Sequence, residues 1–229
     1  MRRLILFDID GTLLDAGGAG RRAIATAMVK VYGQTGRLDG YRMGGRTDPQ
    51  IVRELLGGVG VGEAEIEAGL EALWPMYVEG LRHDITGRVK ALPGVPALLD
   101  RIHAYHPETV LGLLTGNVVE GARLKVEAAG LPFGRFRVGA YGSDHWQRPE
   151  LPAIAIQRAR ELTGIGYQGK EVVIVGDTPF DISCGAHLGV RTVAVATGGH
   201  TMEELAACGP DHLFADLSDT EAVWRAISD

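Results

Sequence analysis

The chain has 229 residues, 45% of them hydrophobic and 23% charged, and carries a net charge of −6. That length suits one globular core, or a core with a smaller insert, with ample apolar surface to bury. The acidic balance, without any basic block, argues against a nucleic-acid partner. No apolar run approaches membrane-spanning length, and the opening Met-Arg-Arg run lacks the length and cleavage site of a secretory signal. Cys184 and Cys208 lie far apart and fall in no metal-like spacing, so they read as reduced thiols of a cytoplasmic protein.

The first element predicted is a buried parallel strand over Arg3-Leu4-Ile5-Leu6-Phe7. Asp8-Ile9-Asp10-Gly11 follows it directly. Residues i and i+2 share one side of a strand. A strand stopping near Asp8 therefore puts Asp8 at its carboxyl edge and Asp10 just beyond, where open α/β sheets bind ligands. Two carboxylates so close raise each other's pKa unless a cation sits between them or one holds a proton.

A glycine-rich bend spans residues 16–20, and residues 21–32 read as a helix with Ile24, Ala27, Met28 and Val31 on one face. A second helix is predicted over 49–56, with Asp48 as N-cap and Pro49 at the first helical position. Residues 63–82 form a longer amphipathic stretch interrupted by Pro75. No strand is predicted between Asp15 and Asp84, so this block reads as a helical insert.

From Leu92 onward strands alternate with helices. Pro93-Gly94 opens a helix that ends near His106-Pro107, and Val110-Leu111-Gly112-Leu113-Leu114 is a buried strand. A helix follows over 118–129, closed by Gly130. A short strand at 136–140, a helix at 149–162, the strongest strand at 172–175 and a helix running to Leu188 come next. A fifth strand at 192–195 and short helices at 201–208 and 220–227 complete the chain. The expected fold is α/β, a doubly wound parallel sheet (a Rossmann-like core) with an inserted α-helical cap domain. The core takes residues 1–15 and 90–229, and the cap takes residues 16–89.

Three further sequence features concern chemistry. Val172-Val173-Ile174-Val175 ends in Gly176-Asp177-Thr178-Pro179, so Asp177 lies at a strand end as Asp8 does. Thr178 and Pro179 read as an N-cap and first helical residue, and Asp181 falls in the first turn, facing back toward the strand edge. Alone, Asp181 would merely complement the helix dipole. Four acids (Asp8, Asp10, Asp177, Asp181) on one sheet edge call for a cation, and hard oxygen ligands with few protein contacts suit Mg²⁺. Thr115-Gly116-Asn117 lies between a strand and a helix, where free N–H groups and the Thr115 hydroxyl can bind an anion, or where Thr115 or Asn117 simply caps the helix. Arg148 precedes a helix and offers a cation to balance negative charge at that edge, unless it is a surface arginine of a polar loop.

Asp8-Ile9-Asp10-Gly11-Thr12-Leu13-Leu14-Asp15 resembles the nucleophile motif of the haloacid dehalogenase superfamily of phosphatases, and Gly176-Asp177-Thr178-Pro179-Phe180-Asp181-Ile182 resembles its acidic metal motif. The resemblance runs the whole chain and is nearest to the phosphoglycolate phosphatase and β-phosphoglucomutase branch. It implies that Asp8 is the nucleophile, Asp10 the general acid/base and Thr115 the phosphate-binding hydroxyl. Arg148 stands where the family usually has lysine. Asp8, Asp177 and the Asp10 backbone carbonyl would hold Mg²⁺, with Asp181 behind them. Gly116 and Asn117 join the phosphate site, and Arg46 either meets a distal anion of the substrate or is a loop arginine. The expected activity is hydrolysis of a small phosphorylated metabolite through an aspartyl-phosphate, by a monomer or homodimer. The alternatives are a sugar phosphomutase and a metabolite-binding regulator without catalysis.

Overall fold

The computed structural model describes residues 2–229. The chain opens with β1 (Leu4–Phe7), a turn, and the two-residue β2 (Leu14–Asp15). Three helices follow: α1 (Ala19–Tyr32), α2 (Asp48–Gly57) and α3 (Glu63–Asp84). The chain returns through β3 (Lys90–Ala91) and then alternates: α4 (Val95–Tyr105), β4 (Val110–Leu114), α5 (Val119–Ala128), β5 (Val138–Ala140), α6 (Leu151–Thr163), β6 (Val172–Gly176), α7 (Pro179–Ser183) and β7 (Arg191–Val195). It closes with α8 (Met202–Ala206), β8 (His212–Phe214) and α9 (Thr220–Ser228).

Six strands form one parallel sheet in the order β5-β4-β1-β6-β7-β8. From β1 the chain winds out to β4 and β5 on one side, then crosses to β6, β7 and β8 on the other. The crossing creates a topological switch point at the carboxyl end of β1, the place where doubly wound sheets bind ligands. Register sets the site. Phe7 pairs with Leu113 on one neighbour and Val175 on the other, so Asp8, Thr115 and Asp177 emerge side by side at that edge.

Every side chain of β1 is buried, as helix-covered parallel strands require. The pleat sends Ile5 and Phe7 to one face with Val173, Val175 and Val193, and Leu4 and Leu6 to the other with Val172, Ile174 and Leu151. Each such side chain contributes about 1.5–3 kcal/mol by leaving water.

The chain leaves the sheet for α1 to α3 through β2 and returns through β3, and these two pair antiparallel, Leu14 with Ala91 and Asp15 with Lys90. Ile24, Met28, Leu55, Leu73 and Tyr77 of the three helices join the apolar cluster that includes Ile5 and Phe7.

Several details differ from the sequence reading, the unpredicted ribbon of β2 and β3 among them. Pro75 does not interrupt α3, which is one 22-residue helix. Pro75 and Glu71 both lie on its exposed face, so the Glu71 carbonyl that loses its amide donor meets water. The N-cap of α2 is Thr47, whose hydroxyl accepts from the Gln50 amide at 3.1 Å, and Asp48 is the first residue inside the helix. The helix predicted to reach Leu188 stops at Ser183 and resumes as a 3₁₀ turn over Ala186–Leu188. β8 was not predicted: its three side chains are all half-buried, so it carries no period-two pattern.

Candidate active site

A cleft of about 250 Å³ opens over the carboxyl ends of β1 and β4, lined by Asp8, Asp10, Thr115, Gly116, Asn117 and Arg148 from the sheet edge. Arg46, Asp48 and residues at the start of α1 line its other side.

Asp8 is 5% exposed. Its amide continues the ladder by donating to the Val175 carbonyl at 2.9 Å. Arg148, from the 3₁₀ turn Arg148–Glu150 ahead of α6, brings Nη2 to 3.2 Å from Asp8 Oδ1. The same Nη2 pairs with Asp181 Oδ1 and donates to the Leu114 carbonyl at 3.3 Å. Burial works against the Arg148 charge, but the Asp181 and Asp8 carboxylates outweigh it and hold the guanidinium more firmly charged than usual.

α7 begins as its sequence predicts. Thr178 caps it, and Asp181 returns the favour by accepting from the Thr178 amide at 2.9 Å and hydroxyl at 2.6 Å through Oδ2. Both Asp181 oxygens are thereby occupied, one by Arg148 and one by Thr178. Asp177 is held by Thr12, whose hydroxyl donates to its Oδ1 at 3.0 Å.

One carboxylate oxygen from each of Asp8, Asp177 and Asp181 lies within 4.8 Å of the others. Burial first, then Asp181 and Asp8, pushes the Asp177 carboxyl up from 3.8 to about 8. Burial likewise raises Asp8 to about 6, with Arg148 opposing and Asp181 and Asp10 adding to the rise. The chain closes tightly around Asp177. A Cβ on Gly198 would lie 1.8 Å from its Oδ2, and one on Gly11, where φ is +85°, would lie 2.5 Å from it. A buried all-oxygen set with more negative charge than Arg148 neutralises fits a divalent cation.

The raised carboxyls carry a sign. The folded chain holds protons at Asp8 and Asp177 that the unfolded chain releases above about pH 4, so metal-free stability falls as pH rises through the window up to about 8. A bound cation removes that penalty. We expect the Tm of metal-free protein to drop by several degrees between about pH 5 and about pH 8, and saturating Mg²⁺ to raise Tm more at the upper pH. Scanning calorimetry with and without chelator measures both.

Asp10 sits at the cleft and is half-exposed. Its Oδ2 accepts from Lys125 Nζ at 2.7 Å and from Asn117 Nδ2 at 2.8 Å. The Asn117 side chain therefore faces Asp10, and also donates to Thr115 Oγ1 at 2.8 Å. The Thr115 amide is committed to the Ala140 carbonyl. At the start of α5 the Val118 amide donates to Asp48 Oδ2 at 2.9 Å and the Val119 amide to Ser143, so these two donors are already used. Arg46 lines the cleft while pairing with Glu54 at 3.0 Å and lying over the Tyr41 and Phe180 rings.

Lys125 was absent from the sequence reading, and Asp48 appeared there only as a helix cap. Lys125 had a signal: Val118, Gly121, Ala122, Lys125 and Val126 follow helical spacing, and the last four are buried on α5. A lysine inside an apolar stripe asks for a partner. Asp48 had none beyond its place beside a helix start, because its partner Val118 is 70 residues away.

A doubly wound sheet with an acidic, cation-requiring centre at its switch point defines an α/β enzyme acting on an anionic group. The chain belongs to the haloacid dehalogenase-like hydrolase family, whose model matches residues 5–195. It is 26% identical over 220 residues to a phosphoglycolate phosphatase of Pseudomonas syringae pv. tomato, covering 94% of this chain and 77% of that one. It is 28% identical over 222 residues to a phosphoglycolate phosphatase of Aquifex aeolicus, covering 95% and 94%. Among solved structures, a hydrolase from Pseudomonas syringae superposes over the full length of both chains with a TM-score of 0.73 at 21% identity.

Proposed function

We propose that this chain is a Mg²⁺-dependent phosphatase that hydrolyses a small phosphate monoester, phosphoglycolate or a similar compound, through an aspartyl-phosphate. The observation that carries the reading is the gathering of Asp8, Asp10 and Arg148 around one cleft, with a carboxylate oxygen of Asp177 within 4.8 Å of one on Asp8. The cleft volume of about 250 Å³ falls below the about 300–1,000 Å³ of sites for drug-sized ligands, which favours a small ester. The names of the two phosphoglycolate phosphatases support that substrate class.

In this reading an Asp8 carboxylate oxygen attacks phosphorus as the ester P–O bond breaks. Asp10 gives its proton to the departing oxygen, then takes one from the water that attacks the acyl phosphate, releasing inorganic phosphate and restoring Asp8. Thr115 and the Gly116 amide hold phosphate oxygens, and Arg148 keeps cationic charge beside Asp8 as negative charge grows there. Asp8, Asp177 and the Asp10 carbonyl are the groups that would hold Mg²⁺, with Asp181 fixing Arg148 and Thr178 behind them. When bound, the cation neutralises phosphate charge.

Residues 16–89 act as a cap that selects the leaving group, hinged at the ribbon of β2 and β3, with Arg46 facing the substrate's distal end. All the site residues come from one chain, so a monomer or a homodimer would work alike. Two unpaired cysteines accord with a cytoplasmic setting. Among the described residues, no helix is long and apolar enough to cross a membrane.

The test is phosphate release from a panel of small esters with Mg²⁺ or chelator. Turnover of a small ester, lost with chelator, is the expected result. Transfer to a second sugar phosphate instead of water would favour a mutase, and binding without release would favour a regulator.

A further inference from the structure

The polar cluster beneath the cleft is more elaborate than holding a phosphate requires. Lys125 is 4% exposed, and its ammonium donates to Asp10 Oδ2 at 2.7 Å and to Asn117 Oδ1 at 2.6 Å. Asn117 uses its own amide to reach the same Asp10 Oδ2 at 2.8 Å. Two donors, themselves bonded to each other, thus converge on one carboxyl oxygen. Among the described residues, no hydrogen bond reaches Asp10 Oδ1.

The surroundings are shaped to admit this lysine. A Cβ on Gly20 at the start of α1 would lie 3.1 Å from Lys125 Nζ, so a larger residue there would crowd the ammonium. Tyr77 of α3 lies in the same pocket, fully buried, with its hydroxyl turned toward the Asp48 carboxylate. The Asp48 carboxylate, on the other side of the cleft, adds an attractive charge. A lysine takes such a position only where its charge is used.

We propose that Lys125, together with Asn117, is a positioning residue that clamps Asp10 by Oδ2 and so dedicates Oδ1 to proton exchange with the leaving group. The proposal rests on the phosphatase reading above. Without the clamp the Asp10 side chain is free to rotate, and both oxygens share the time spent near the ester oxygen. The loss falls on substrates whose leaving group needs a proton, and largely spares those whose leaving group departs as a stable anion.

The experiment compares kcat/KM for phenyl phosphate, which needs the proton, with that for p-nitrophenyl phosphate, which does not. Both are measured on the same preparation, so any inactive fraction cancels in the ratio. Lys125→Met is expected to lower the phenyl to p-nitrophenyl ratio by about tenfold or more, within the about 10²–10⁴-fold that general acid catalysis supplies. Lys125→Arg, which keeps a cationic donor, is expected to move the ratio back toward the parent value. If Lys125→Met does not fold, Asn117→Ala removes the other donor and is read the same way. An equal fall for both esters, or none, overturns the proposal and leaves Lys125 with a structural role. A parent protein that cleaves neither ester overturns the phosphatase reading as well, a result separable from the first.

Discussion

Asp8→Asn is expected to lower kcat by about 10⁴-fold or more, the scale of removing a nucleophile, while leaving the metal-free protein at least as stable as the parent. The amide has the shape of the carboxylate but lacks the charged oxygen that attacks phosphorus in the proposed mechanism. Stability moves the other way because the parent carboxyl is buried and pushed up to about 6, so ionisation near neutral pH costs free energy in the fold. Arg148 keeps Asp181 as its partner after the change. The variant should also gain less Tm from Mg²⁺, since one of three converging carboxylates is gone. Steady-state kinetics and thermal melts with and without the cation supply all three readings. Substantial residual turnover would place the nucleophile elsewhere.

Arg148→Met is the second large effect. Arg148 is 2% exposed and stands between two buried carboxylates. Removing one partner of a buried ion pair strands the other charge, which costs about 3–5 kcal/mol, so the denaturant midpoint should fall with no change in slope. Activity should fall by about 10²–10³-fold as the cation opposite the growing charge disappears. Arg148→Lys is expected to keep at least about a tenth of parental kcat. The geometry explains why. Among the described residues, Nη2 makes the contacts with Asp8, Asp181 and the Leu114 carbonyl, and Nε is buried without a hydrogen bond. The guanidinium therefore meets both carboxylates through one nitrogen, not as a fork, and an ammonium ending one bond short can do the same. Chemical denaturation and kinetics on both variants decide the point: equal losses would mean that the guanidinium shape, not the charge, is what counts.

Much of the fold was legible because its strands are short, continuous apolar runs bounded by glycine, proline and acids, the pattern of a sheet covered on both faces. Residues 4–7, 110–114 and 172–176 needed no tertiary context. The elements misread are those where local pattern and tertiary setting part. Pro75 reads as a break, yet the apolar stripe of Ile66, Leu70, Leu73, Tyr77 and Leu81 carries α3 through it. β8 has no pattern of its own and exists by pairing with β7.

The candidate site divides in the same way. Asp8, Asp10, Thr115, Asp177 and Asp181 were visible because each follows a strand end by a fixed number of residues, and parallel register then aligns those ends. The sequence by itself determined which acids stand at that edge, since strand termination and turn chemistry are local and carry the acids with them. Only the tertiary structure decided what surrounds that edge. Arg148 meets Asp8 and Asp181 across more than 30 residues of chain, Lys125 clamps Asp10 from a helix 115 residues away, and Asp48 takes an amide of α5 from beyond the cleft. Such pairings follow from how elements pack on the sheet, and residue spacing along the chain does not encode that packing.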